Sequence, residues 1–286
     1  MPSVRQISRR IRSVENTAKI TKAMSMIAAS KLRRSQEAAT MGRSYRERMA
    51  SMVTNLMGQL HDKDDIHSLL TGREVNVASV VLVTPDRGLT GGLNSNILRE
   101  VGDYIENQGD SIKILAVGKK GSDYARRAGL EGFGQFVGVG DRPKLEDTLP
   151  ITEAVITEFV SGQVDSVAVA YTRFVNTTSQ IAVVEPLLPI DPHDFEDNNN
   201  RDYILEPDAS DVLARILPRY VGTIIHHAIL ESIASEQSAR MVAMNNATDN
   251  ANEMVEDLTL VMNKLRQESI TNELLDIVGG VAAIEN

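Results

Sequence analysis

The 286-residue sequence contains no cysteine. That excludes disulfide frameworks, thiolate metal centres and thiol switching, and leaves only histidine and carboxylates for any zinc site. No run of residues approaches the ~18 uninterrupted apolar positions of a membrane-spanning helix. Tryptophan is absent, and phenylalanine and tyrosine avoid both ends: Tyr45 is their one instance before residue 61 and Tyr220 their one instance after residue 207. Helix breakers are missing from two long stretches. No proline separates Pro2 from Pro85, the first glycine is Gly42, and Thr223 to Val278 holds neither glycine nor proline. The formal net charge of -9 argues against a dedicated nucleic-acid binder.

That net charge is distributed unevenly. Residues 1–60 carry twelve basic and three acidic side chains, 61–207 carry 13 and 24, and 208–286 carry 5 and 12. Methionine and glycine separate in the same way. All 11 methionines lie in 1–57 or 241–262, while 15 of the 19 glycines fall between Gly42 and Gly222. A compact core normally uses large rings, whereas a slender helical pair can be filled by Ala, Met, Leu and Ile. The two ends therefore belong together, with a different kind of domain between them.

Periodicity gives the same division. Val4, Ile7, Ile11, Val14, Ala18, Thr21, Ser25, Ala28 and Leu32 alternate steps of three and four, the seam of a coiled coil, with Pro2 and Ser3 as a helix start signal. Gln237, Met241, Met244, Thr248, Ala251, Val255, Leu258, Met262 and Leu265 repeat the pattern. Neither helix buries its stripe alone, so the two are expected to pair. An inserted domain lets them run antiparallel, and their opposite charge balances favour it. Thr21, Ser25, Gln237 and Thr248 make the seam less than a uniformly apolar zipper. The Arg- and Ser-rich start also has the composition of a mitochondrial targeting segment, but the pattern continues without a cleavage-like break.

Between the helices the period shortens. Strands are expected at Val75–Thr84, Ile112–Val117, Phe133–Val139, Asp165–Phe174 and Gln180–Leu188, the last antiparallel to its predecessor because only a short turn separates them. Helices are expected at Ser95–Asn107, Lys119–Ala128 and Thr152–Ser161. This alternation builds a Rossmann-like, mainly parallel α/β domain. The fold class is thus α/β with a long antiparallel coiled coil. Residues 1–60 form the N-terminal helix, 61–190 the inserted α/β domain, 191–207 an acidic linker or foot, and 208–286 the C-terminal helix.

No complete active site emerges. Residues 84–96, TPDRGLTGGLNSN, follow a strand and precede a helix, where phosphates often bind, but they match neither G-x-G-x-x-G nor G-x-x-x-x-G-K-[ST]. The plainer reading is a tight turn eased by Gly88, Gly91 and Gly92, with Asn94 or Ser95 capping the helix. His226 and His227 are adjacent and cannot form an i, i+4 metal pair, while His61, His67 and His193 are scattered. No Cys nucleophile and no Gly-x-Ser-x-Gly elbow is present. The basic run from Arg5 to Arg34 lacks aromatics for base stacking. Met24, Met26 and Ile27 lie off the seam beside Lys19, Lys22, Lys31, Arg33 and Arg34, which favours acidic protein partners.

The segments RRIRSVENTAKITKAMSMIAASKLRRSQE, TPDRGLTGGLN, ASEQSARMVAMNNATDNANEMVEDLTL and ITNELLDIVGG together resemble, in order and from end to end, the γ subunit of F-type ATP synthases in its compact bacterial form. The resemblance implies a rotor shaft that is itself non-catalytic and binds no cofactor, ATP, ADP and Mg being held by the partner α and β subunits. One copy would sit in the α3β3 hexamer, with the α/β domain beside the ε subunit and the c-ring. Contact with nucleic acid is not implied. The membrane would be met only through the Fo sector, at the cytoplasmic face of a bacterial plasma membrane. Position by position, Lys19, Lys22, Met24, Arg33 and Arg34 resemble the stretch that meets an acidic loop of β. Arg266 and Gln267 resemble a polar catch, and Arg240 a helix segment also facing β. Ile277 and Val278 begin the apolar tip held in a hydrophobic sleeve. Tyr203, Leu205 and Glu206 resemble the foot facing the c-ring and ε.

Three features depart from the family pattern. Thr90 stands where many relatives have Cys, Met262 and Leu265 stand where smaller or aromatic residues are common, and the Cys-bearing insertion of chloroplast relatives is absent, so redox control is not expected. The alternatives are a nucleotide-binding α/β protein with a coiled-coil dimerisation arm and a nucleic-acid-associated coiled coil.

Overall fold

A computed structural model describes residues 3–57, 67–108, 111–190 and 209–284. The element order is α1 (Val4–Met57), β1 (Ala78–Val83), α2 (Leu93–Gln108), β2 (Ile112–Val117), α3 (Lys119–Ala128), β3 (Glu131–Phe136), α4 (Leu145–Val160), β4 (Ser166–Phe174), β5 (Gln180–Leu188) and α5 (Ala209–Ile284). Two compact units result: residues up to Ala28 with those from Met241 onward, and Ala29–Arg240. The segment expected to be a linker or foot, 191–207, lies outside the described residues, as do Tyr203, Leu205 and Glu206.

The first unit is an antiparallel helical pair. Ser3 starts α1 with a reciprocal cap: its Oγ accepts the Gln6 N–H at 3.3 Å, and Gln6 Oε1 accepts the Ser3 N–H at 2.9 Å. Ile7, Ile11, Ala18, Thr21, Ser25 and Ala28 are buried, facing an α5 stripe that includes Met244, Thr248 and Ala251. Register is fixed by hydroxyls. Thr21 and Thr248 share a 2.7 Å hydrogen bond, and Ser25 donates to Asn245 Oδ1 at 2.5 Å. Whichever of the two hydroxyls accepts in the shared bond donates its own hydrogen to a carbonyl of its helix, Ala18 for Thr21 or Met244 for Thr248, so the polar seam leaves no buried hydroxyl unpaired.

The second unit contains one five-stranded sheet of order β3-β2-β1-β4-β5, with β1 to β4 parallel and β5 antiparallel to β4. β1 is buried along its whole length, consistent with a strand covered on both faces. One face packs Val81, Val83, Leu115, Val169 and Tyr171 against Ile151, Val155 and Phe159 of α4, Val53 and Leu56 of α1, and Leu217, Val221, Ile225 and Ile229 of α5. The other face packs Val80, Leu82 and Ile114 against Ile97 and Val101 of α2 and Ala125 of α3. A fully buried Leu, Ile or Phe stabilises by roughly 1.5–3 kcal/mol, so these two layers hold most of the folding free energy.

Several elements depart from the expectations above. α5 is not one of them: it runs Ala209–Ile284 against the expected 208–286, passing through Pro218. Proline there removes one helical N–H, but buried Leu213, Leu217 and Val221 hold the helix against the sheet. α4 likewise starts at Leu145 and includes Pro150, because the Asp147 carboxylate accepts the Lys144 N–H at 2.7 Å and Thr148 and Ile151 are buried. β1 and β3 are shorter than expected, and β3 starts two residues before Phe133. Helix α2 starts at Leu93, so Asn94 and Ser95 lie inside its first turn and neither is its cap.

Candidate partner surfaces and the glycine-rich loop

On α1, Lys19 and Lys22 are exposed and share a face with exposed Met26 by three- and four-residue spacing, while Met24 is half-buried beside the seam. Ile20 and Ile27, seven apart, leave a second apolar strip open to solvent. Arg33 and Arg34, in the second unit, are exposed as well, and Arg33 makes a surface pair with Glu37 at 3.5 Å. The helix thus interleaves cations with uncovered apolar side chains.

On α5 the exposed stretch is longer. The antiparallel register set by Thr21–Thr248 and Ser25–Asn245 brings Arg266 opposite the first turn of α1, and from Gln267 onward α5 faces no described residue of α1. Arg266, Gln267, Ile270, Leu274, Leu275, Ile277 and Val278 are all exposed. Arg266, Ile270, Leu274 and Ile277 align by helical spacing, so a polar pair adjoins an apolar stripe. Ile277 and Val278 remain 64 % and 62 % exposed, uncommon for aliphatic side chains grouped this closely.

Arg240 behaves differently. Its side chain is 11 % exposed, and its guanidinium donates to Glu236 at 2.7 Å and to the Gly88 carbonyl at 3.3 Å. It fastens α5 to the apex of the 84–96 loop. Leu89 at that apex has φ 64° and is 61 % exposed, so a bulky side chain is held in a left-handed conformation and pointed at solvent.

The loop itself is closed by its own side chains. Asp86 accepts the Lys119 N–H at 2.8 Å and the Gly138 N–H at 3.0 Å, so its carboxylate occupies the anion position at the start of α3. Thr84 Oγ1 accepts the Gly121 N–H at 2.8 Å, and a Cβ on Gly118 would lie 1.9 Å from the Thr84 carbonyl oxygen. The order of the sheet reverses between β1 and β4, and the carboxyl ends of strands at such a point usually form the ligand crevice. Here α5 lies across it. Ser235 donates to the Thr172 carbonyl at 3.0 Å, Ser238 to the Thr177 carbonyl at 2.8 Å, and Glu231 accepts the Phe174 N–H at 3.2 Å. The cavity left beside Thr84, Asp86, Gly118 and Glu236 measures about 50 Å³, room for a water molecule or two. Helix and loop together fill the place a nucleotide would take.

A family model described as ATP synthase matches residues 3–284. The ATP synthase gamma chain of Dehalococcoides mccartyi is 50 % identical over 284 residues, spanning 99 % of this chain and 100 % of the relative. The chain belongs to the ATP synthase γ-chain family. The gamma chain of Chloroflexus aurantiacus is 45 % identical over 288 residues, with 99 % of each chain covered. Among solved structures, a chain of the Tetrahymena thermophila mitochondrial ATP synthase central stalk and c-ring superposes with a TM-score of 0.62 at 27 % identity, over 80 % of this chain and 99 % of that one. A chain of the Euglena gracilis mitochondrial ATP synthase gives 0.68 at 19 % identity, over 98 % and 94 %, a likeness of fold.

As a γ-chain fold, the molecule also contains groups that motif reading passes over. Glu231 is 2 % exposed in its side chain, bound by Arg43 at 2.6 Å and approached by His227 Nε2 at 3.3 Å. With Nε2–H donating to Glu231, His227 Nδ1 is a buried acceptor without a donor. Asp141 ties α1 to the loop after β3 through Lys31 at 2.6 Å. The only signal for Glu231 in the sequence is its isolation: it is the single ionic residue between His227 and Glu236 in an otherwise apolar or small-residue run.

Proposed function

We propose that this chain is the central rotor shaft of an F-type ATP synthase, coupling rotation of a c-ring to conformational change at catalytic sites carried by partner subunits. The full-length likeness to a gamma chain at 50 % identity carries this reading. The subunit itself is non-catalytic and binds no cofactor. ATP, ADP and Mg belong to α and β. One copy stands in an α3β3 hexamer at the cytoplasmic face of the plasma membrane.

In this reading the exposed cations of α1, Lys19, Lys22, Arg33 and Arg34, slide against β together with half-buried Met24 and the apolar strip beside them. The uncovered end of α5 is the bearing, with Arg266 and Gln267 as the polar catch beside Ile277 and Val278. Arg240 acts indirectly, presenting the Gly88–Leu89 apex to the hexamer. Tyr203, Leu205 and Glu206 meet ε and the c-ring. A bearing surface must be exposed in the free chain and covered in the complex, and the outer end of α5 meets the first condition.

Co-expression with α and β tests the reading: one copy of this chain per three α and three β, and no ATPase activity from the chain alone, are expected. A chain that ignores both subunits, or that binds nucleotide at micromolar concentration by calorimetry, overturns it. Arg266→Ala is expected to lower coupled synthesis several-fold while leaving assembly intact, as read by synthesis rate against yield of purified complex. An unchanged rate removes Arg266 from the catch.

A further inference from the structure

A helix lying on an apolar sheet face is held against leaving it, but not strongly against rolling or sliding, because hydrophobic contact has no direction. Directional bonds supply what that contact lacks. In the Ala29–Arg240 unit such bonds join helix to domain at Lys31–Asp141 and Arg240–Gly88, and a larger group of them lies where α1, α5, β4 and β5 meet.

The centre is Glu231. One carboxylate oxygen takes Arg43 from α1 at 2.6 Å and lies 3.3 Å from His227 Nε2, and the other accepts the backbone N–H of Phe174 at the end of β4 at 3.2 Å. A second carboxylate, Glu185 on β5, is bonded by Arg173 from β4, approached by Arg46 of α1 at 3.5 Å, and reached by the hydroxyl of buried Tyr171 at 3.3 Å. Arg43 and Arg46 lie three residues apart on one face of α1, so the same helical turn grips both carboxylates. Ser235 and Ser238 add bonds from α5 to the Thr172 and Thr177 carbonyls. Gly42 completes the fit: a Cβ there would come within 3.2 Å of His227 Nδ1 and Leu230 Cδ1, so the two helices approach closely where the charges are. Charge-assisted bonds to buried carboxylates and backbone groups resist displacement along every axis at once.

We infer that Arg43, Arg46, Glu185 and Glu231 form a torsional clamp that fixes the sheet to the stretches of α1 and α5 inside the Ala29–Arg240 unit and sets the stiffness with which twist passes from sheet to helices there. This rests on the rotor reading, since a shaft driven through its α/β domain delivers at its helices only the twist that this junction transmits. The four side chains act as positioning residues, Glu231 through the β4 backbone at Phe174 and Glu185 through Arg173 and Tyr171 of β4.

The absence of cysteine makes the test direct: Glu100→Cys on the exposed face of α2 gives a single attachment point for a nanorod. In an assembled α3β3 complex stalled without nucleotide exchange, the angular variance of the rod reports torsional compliance. Glu231→Gln, and separately Arg43→Met with Glu231→Met, should raise that variance at least twofold. The double variant leaves no unpaired charge, though the Phe174 and His227 N–H groups lose their acceptor, so its melting temperature should fall by only a few degrees, and a transition that stays cooperative separates softening from loss of fold. Asp165→Asn breaks the Arg73–Asp165 bridge inside the α/β domain, away from both helices, and should leave the variance unchanged. Variance in the clamp variants equal to the parent, or an equal rise in Asp165→Asn, overturns the clamp. Failure of the parent to assemble or rotate overturns the rotor reading instead.

Discussion

Glu231 and Glu236 lie five residues apart on α5, and their surroundings shift them in opposite directions. Burial pushes the Glu231 carboxyl up, but hydrogen bonds from His227 and Arg43 outweigh it and hold the group at about 2. For Glu236 burial prevails over its pairing with Arg240, with Asp141 and Asp86 adding repulsion, and the group sits above the ordinary value. A depressed carboxyl contributes stability that is present above its unfolded value near 4.5 and lost as pH falls toward the folded one. A raised carboxyl does the reverse: its contribution is complete below 4.5 and disappears as pH rises through its folded value. At pH 7 Glu231→Gln should therefore cost ~3 kcal/mol, shrinking toward pH 3, whereas Glu236→Gln should stay within ~1 kcal/mol of the parent. Urea denaturation of the full chain at pH 7 and pH 4 checks the ranking, and equal costs at pH 7 would remove the contrast. None of this was legible in the sequence, where both residues are single acids in one helical run. Their difference arises from α1 and β4, which reach Glu231 from 188 and 57 residues away.

At the scale of elements, the long helices were legible because their signal is local and repeated. Of the expected stripe, Ile7, Ile11, Ala18, Thr21, Ser25, Ala28 and Leu32 are buried and Val4 and Val14 half-buried. The ends of elements were not legible. Thr152 was expected to start α4, yet buried Thr148 and Ile151 carry that helix back through Pro150 to Leu145. The Asp86 carboxylate looked like part of a turn, whereas its role at the start of α3 depends on strands that meet only in three dimensions. The polar seam allows an element-level prediction. In the Thr21–Thr248 pair one hydroxyl donates to the other and the second to its own helix, so both donors belong to these two side chains and removing both hydroxyls leaves no orphaned donor. Thr21→Val combined with Thr248→Val should match or exceed the parent by up to about 1 kcal/mol, seen as an equal or higher melting temperature. A loss of more than 1 kcal/mol would mean that the shared bond, not side-chain volume, holds the register.

For the whole molecule, the two units use different materials. The helical pair ending at Ala28 and beginning again at Met241 buries Ile7, Ile11, Ala18, Met244 and Ala251 among hydroxyls, whereas the other unit buries Phe159, Tyr171, Leu217 and Ile225 in a continuous core. Burial stabilises in proportion to apolar area, so the thin pair opens at lower free energy than the core of the α/β unit. Native-state hydrogen exchange on the free chain should therefore show weaker protection for residues 4–24 and 245–265 than for 217–234. The margin should reach at least a hundredfold, which corresponds to about 2.7 kcal/mol. A shaft reading adds a second expectation: assembly with α and β should raise protection at residues 4–24 and along the exposed end of α5 while leaving 217–234 unchanged, because only the first two gain cover. Uniform protection in the free chain would show that the pair is stiff by itself. Protection gained at 217–234 instead would mean that the partner surface is the α/β unit and not the helices.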